Sequence, residues 1–189
     1  MGRKSLKLIT LLLGCALLLA SCSEQPKGKE NYKPRPIRSI EGAVSLPRSC
    51  EGLGVEDILK ESFPNFKYIK TDWNPSPGSD LALAYQSGGL ACTYGDLSSE
   101  VGVTMLWGRL SNSDFNERIN YWEEQDYLKI ENIDYKYELK LKDGLMSPDG
   151  KLRFSRVYYK GGVWFQINYS FPLTEDYLGK LAQSAYELN

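Results

Sequence analysis

The chain has 189 residues, 42% of them hydrophobic and 25% charged, with 23 Lys and Arg against 24 Asp and Glu and no histidine. These proportions are those of an ordinary globular protein, and the length suits one domain rather than two full-sized ones. Without histidine there is no Ser-His-Asp or Cys-His nucleophile pair, no zincin motif, no histidine proton shuttle and no haem held by histidine.

Arg3, Lys4 and Lys7 form a basic start, and residues 8–20 follow without a charge. A membrane-spanning helix needs about 20 apolar residues, so this run is too short to span and has the length of a secretory h-region. The four residues Leu19, Ala20, Ser21 and Cys22 resemble the lipobox of bacterial lipoproteins, in which small residues precede a cysteine. The resemblance implies a signal peptide over 1–21, a diacylglyceryl thioether on Cys22, and residence at the cell membrane on its extracytoplasmic face. Two acyl chains meet the two-signal requirement for stable anchoring, at about 0.8 kcal/mol for each buried methylene. A plain signal peptide cut near Ser21, leaving Cys22 as a free thiol, is the other reading of the same residues.

Residues 22–38 then read as a lipidated N-terminus and a polar tether, in which three prolines and only Tyr32 and Ile37 as packing residues predict disorder. The tether carries a net charge of +3, whereas the remainder from Ser39 on carries −7. A basic tether suits an anionic membrane surface and is equally what a solvated linker looks like. With Cys15 removed in the h-region and Cys22 lipidated, Cys50 and Cys92 remain, and a secreted chain usually pairs two such cysteines. Their loop of about 43 residues is worth roughly 4 kcal/mol in the chain-entropy account.

Residues 39–189 are expected to form a single α+β extracytoplasmic domain. In chain order the pattern predicts a short amphipathic helix over 54–63, a strand within 66–71 and a Pro/Gly/Ser loop over 74–79. Residues 80–86 fit either a helical turn capped by Ser79 or a strand of alternating Leu and Ala. A hairpin of 90–94 and 101–109 comes next, then a helix capped by Ser113 and running to about Tyr127 on Phe115, Ile119 and Trp122. Strands are expected at 135–141, with one wet face, at 152–159 after the turn at 148–150, and at 163–171 after the turn at 160–162. Thr174, followed by Glu175 and Asp176, caps a final helix striped by Leu178, Leu181, Ala182 and Ala185. The order describes an antiparallel sheet of about five to six strands with helices packed mainly on one face. Cys50 before the first helix, and Gly88-Gly89 separated by two residues from Cys92, also resemble small secreted lipoproteins of actinobacteria that have no assigned activity; this likeness carries over no catalytic residue.

Candidate chemistry is sparse. No dinucleotide fingerprint, Walker loop, nucleophile elbow, Ser-x-x-Lys or calcium-loop pattern occurs, and no cofactor or metal is expected. The acidic cluster Glu123, Glu124 and Asp126 lies opposite the apolar helix stripe, where a solvated face is expected. The domain's negative charge argues against a nucleic-acid partner. Thirteen tyrosines and four tryptophans are the positive hint: Trp107, Tyr158, Tyr159 and Trp164 either form a ligand surface or fill a second core layer. The expectation is a non-enzymatic binding or assembly module engaging an envelope protein or glycan, with a histidine-independent hydrolase using paired carboxylates as the alternative.

Overall fold

The alternating stretches from Lys67 onward pair into one antiparallel sheet of seven strands, in the order β1-β2-β3-β7-β6-β5-β4. The strands are β1 (Lys67–Ile69), β2 (Leu90–Asp96), β3 (Val101–Arg109), β4 (Tyr127–Ile130), β5 (Tyr137–Leu141), β6 (Phe154–Lys160) and β7 (Val163–Tyr169). Four helices accompany them: α1 (Val55–Leu59), α2 (Asp80–Gln86), α3 (Asn112–Glu123) and α4 (Glu175–Tyr186). This computed structural model describes residues 44–99, 101–146 and 150–187. The lipobox with Cys22, the tether, and Pro148 and Asp149 of the expected turn lie outside the described residues. The class is α+β, as expected, with seven strands instead of five or six.

Side chains alternate across a strand, so each strand feeds two cores. On one face Cys92, Met105, Trp107, Phe165 and Ile167 pack beneath α1 and α4, which contribute Leu59, Leu178, Leu181 and Ala182. On the other, Leu106, Val157, Tyr159 and Trp164 pack beneath α2 and α3 through Leu83, Phe115 and Trp122. Cover is therefore fuller than a one-sided layer. It extends to the wet face expected of β5: Glu138 is buried there, because Arg156 of β6 donates to its Oε1 at 2.7 Å and also meets Glu175 at the start of α4.

Local chemistry explains the helix ends. Ser79, Ser111 and Thr174 cap α2, α3 and α4, each side-chain oxygen accepting a backbone N–H of the first turn. The α3 cap is thus Ser111 in place of Ser113. Residues 80–86 are helical, with Gly88 in the left-handed region at φ 69° turning the chain out of α2. Gly89 then passes so close to β3 that a Cβ would stand 1.8 Å from the Trp107 carbonyl oxygen. The expected helix to Tyr127 ends earlier, at Glu123. Asp126 takes φ 66°, and the chain reverses into β4.

Cys50 and Cys92 are joined, with their Cα atoms 5.5 Å apart, linking the segment before α1 to the middle of β2. The Tyr94 hydroxyl donates to the Cys50 carbonyl on the same core face. Reduction of the disulfide is expected to lower the unfolding free energy by roughly 3–4 kcal/mol. Denaturant titration with and without reductant checks this; an unchanged midpoint would mean that the bond contributes nothing to the folded state.

The buried phenols set a second expectation. Burial pushes the hydroxyls of Tyr94, Tyr158 and Tyr186 well above their ordinary value, and burial beside Asp134 raises Tyr135 to about 12. Between the unfolded value near 10 and the raised folded values, the folded chain holds more protons than the unfolded one. Stability is therefore fully present below about pH 10 and lost as pH rises through the folded values. With no histidine, the unfolding midpoint should stay flat between about pH 6 and 9 and fall beyond about 10, with tyrosinate absorbance of the folded chain lagging that of the unfolded chain.

Candidate functional site

The second sheet face changes character at one level in four neighbouring strands. Read across the register, one row is Gly108, Trp164, Tyr159 and Tyr137, and the next is Ala91, Leu106, Gln166, Val157 and Leu139. The row after that is Thr93, Thr104, Asn168 and Ser155, and beyond it come Gly95 and Gly102. Helix α3 lies over the first rows, with Phe115 stacked on Tyr159 at 4.0 Å and Trp122 6.0 Å from Trp164. Among the described residues no core cluster covers the polar rows. They floor an open cleft of about 620 Å³, bounded by Ile69 and Leu97 on one side and by Leu141, Leu152 and Arg153 on the other. That volume falls in the range of small-ligand and side-chain pockets, about 300–1,000 Å³.

Asp80, the first residue of α2, stands at the inner end of the cleft and organises its floor. Arg118 of α3 donates to its Oδ1 at 2.5 Å, and the Trp122 indole N–H donates to the same oxygen at 3.0 Å. Arg118 also stacks its guanidinium over the Tyr121 ring, 3.7 Å from the centroid. Asp80 Oδ2 accepts from Gln166 Nε2 at 3.0 Å. A carboxylate accepts only, so it fixes which end of the Gln166 amide turns toward it. The same Nε2 donates to Asn168 Oδ1 at 3.0 Å, and the Ser155 hydroxyl donates to that oxygen at 2.7 Å. Two donors on one oxygen fix the Asn168 amide in turn. The sense of every hydrogen bond is thus relayed from Arg118 through Asp80 and Gln166 to Asn168. The Tyr127 hydroxyl lies 3.3 Å from Gln166 Nε2, and burial next to Asp80 raises its pKa far above the ordinary value.

The cleft's lining carboxylates are poorly placed for proton work. Asp80 is committed to three donors. Asp96, at the outer end, accepts from the Ser98 hydroxyl and backbone N–H, which hold its carboxyl below the usual range. A general acid needs the opposite shift. Around a second pocket of about 420 Å³, Glu138 and Glu175 are both held by the Arg156 guanidinium. Among the described residues no three His, Cys, Asp or Glu gather as a metal site, and no helix is long and apolar enough to cross a membrane.

The aromatic residues singled out in the sequence do not form a ligand surface. Trp107, Tyr158, Tyr159 and Trp164 are all at most 2% exposed. Helices on both faces bury the rings of adjacent residues that point oppositely, so the second-layer reading of these rings is the one the fold realises. Cys50 and Cys92 are where the pairing expectation puts them, and Cys22 lies outside the described residues. The residues that do gather in the cleft, Asp80, Gln166, Asn168, Ser155 and Thr104, were not singled out. Their signal is legible in retrospect: the face opposite the apolar stripe runs Trp, Gln, Asn along β7, Tyr, Val, Ser back along β6, and Leu, Thr back along β3. No family model matches the chain, and no curated protein or solved structure is significantly similar to it.

Asp80→Asn removes the charge opposite the buried Arg118 and is expected to cost about 2–4 kcal/mol, reduced from the usual range because Asp80 is one-fifth exposed. Pairing it with Arg118→Met should recover part of that loss. A double-mutant cycle in denaturant checks this, and strictly additive losses would count against the coupling.

Proposed function

We propose that this is a lipid-anchored protein of the extracytoplasmic cell envelope, working as a non-enzymatic binding or assembly module that takes an envelope protein or glycan into the cleft over Thr104, Ser155 and Asn168. The observation that carries the reading is the half-covered second face. A sheet that completes its core beneath α2 and α3, then continues as a row of short polar side chains with an exposed apolar rim, is built to be covered by something else. Leu97 and Leu152 on that rim are 82% and 48% exposed. Both lining carboxylates are engaged in fixed hydrogen bonds, which favours binding over the carboxylate hydrolase.

Arg109 Nη2 donates to the Val44 carbonyl at 2.7 Å, and Val44 lies against the β6–β7 turn at Gly161. That is the end of the sheet opposite Asp96 and Gly102. Seven residues of β3 separate the two ends, roughly 23 Å at strand rise. The first described residue and the outer end of the cleft therefore lie at opposite ends of the sheet.

Two measurements test the proposal. Cys22→Ala should move the protein from the membrane to the soluble fraction, and continued retention at the membrane would remove the anchor from the account. A photo-crosslinking residue at Leu97 should capture one dominant envelope species in cells, whereas the same residue at the fully exposed Ile133 should not. Equal capture at both positions, or none at Leu97, would sink the cleft as the binding site.

A further inference from the structure

From the unequal ends of the sheet, we infer that the free edge of β4 pairs with itself: two copies of the chain join there, antiparallel, about a two-fold axis at Leu128. The inference depends on neither the cleft nor the lipid anchor.

The sheet has two edge strands, β1 and β4. An edge strand presents unpaired N–H and C=O groups that template a further strand unless something blunts them. β1 is blunted. It is three residues long, and the outward Tyr68 N–H donates to Glu56 Oε1 of α1 at 2.7 Å. β4 meets no such partner among the described residues. The Lys142 N–H donates to the Asp126 carbonyl at 2.9 Å, so by alternation Leu128 and Ile130 bond to β5, while Tyr127 and Lys129 turn their backbone groups outward. No proline, glycine or bulge interrupts the strand. Leu128 is 55% exposed, and Ile130 on the same face is half-buried.

A second β4 fits this edge. One antiparallel register sets both outward residues of the strand against outward residues of the same strand in the other copy: Tyr127 faces the partner's Lys129 and Lys129 faces the partner's Tyr127. These two pairs exchange hydrogen bonds in both directions. Leu128 then lies directly opposite the partner's Leu128, with Ile130 on the diagonal, and the exposed apolar side chains cover one another. Charge selects the same arrangement. Glu123, Glu124 and Asp126 are exposed at the C-terminal end of α3, where the helix dipole is negative and the last turn holds no basic residue. None of the three forms an ion pair among the described residues. The two-fold axis brings the partner's Lys129 next to that turn. Lys129 is exposed, with its ammonium resting over the Tyr137 ring, and a rotation of its stem carries it across. The strand is thus acidic before Leu128 and basic just after it, a pattern that its own two-fold image complements. A register centred one residue further on would instead oppose Lys129 to the partner's Lys129. One strand a side makes an interface smaller than the roughly 1,200 Å² of a standard one, so the dimer is weak and reversible.

Disulfide trapping tests the pairing on the purified full chain in mild detergent, at about 0.5 mM because the dimer is weak, with the unsubstituted chain as background. Leu128→Cys sets two thiols at directly opposed positions, within the Cα separation of about 4.4–6.8 Å that a disulfide needs. Oxidation should trap a covalent dimer about tenfold faster or more than with Ile133→Cys, although Ile133 is fully exposed. Adding Lys129→Pro removes an outward N–H and no bond to β5, so it should bring the Leu128→Cys rate down to that of Ile133→Cys while the backbone amide spectrum shows an intact sheet. Lys129→Glu adds a fourth acid beside the cluster and leaves the backbone untouched, and it should slow trapping as well. Equal rates at the two cysteines, or fast trapping at Leu128→Cys that survives both Lys129 variants, would overturn the inference.

Discussion

The ion pair between Asp80 and Arg118 ties together parts of the chain that have no other reason to agree in position. Its partners come from the first turn of α2, the middle of α3 and, through Gln166, the central strand β7, across sequence separations of 38 and 86 residues. Arg118 is held from several sides, by the Asp80 carboxylate, the Gly78 carbonyl and the Tyr121 ring. Buried pairs of this kind seldom add net stability over apolar packing; their use lies in the arrangement they impose. Here the arrangement is a direction. A carboxylate at one end of a row of amides leaves each amide a single orientation, so a charge placed under α3 fixes how Gln166 and Asn168 are turned several residues away.

That arrangement needs a sheet whose two faces do different jobs. The first face is completed by α1 and α4 and stapled by the Cys50–Cys92 bond, so it supplies the main apolar core. The second face is completed only as far as α2 and α3 reach, and its polar rows begin where that cover stops. The half-open face is tolerated because the other carries the main apolar core, which holds the register of the strands without help from the cleft. The close passage of Gly89 under Trp107 keeps α2 tight against β3 and brings Asp80 to the same level as Gln166.

Much of this was legible in the residues. Period-2 alternation gave the strands of the second half, Thr174 with its two following acids gave the start of α4, and two leftover cysteines gave the disulfide. The losses have physical causes. The helix expected to run to about Tyr127 stops at Glu123, and the reversal into β4 is made by Asp126 in a left-handed conformation, with no glycine or proline to announce it. Burial of Trp107 and Trp164 on opposite faces depends on helices far away in sequence, which a strand pattern cannot reveal. The cleft escaped notice because its signal is transverse: one polar residue in each of four strands is unremarkable along the chain and becomes a surface only when the register aligns them.

The covalent link between Cys50 and Cys92 has a mechanical meaning as well as a thermodynamic one. A pull on the chain ahead of Val44, resisted by something held at the far end of the sheet, runs nearly parallel to the strands. In that direction the ladder hydrogen bonds, which lie across the strands, share the load together and are not unzipped one after another. Residues 44–49 can peel away from Arg109 and Gly161, but at Cys50 the tension passes through the disulfide into the middle of β2, with the hydrogen-bonded neighbours β1 and β3 on either side. The bond acts as a stop. It converts a leading segment outside the sheet into a handle fixed to the sheet's interior, on the face opposite the cleft.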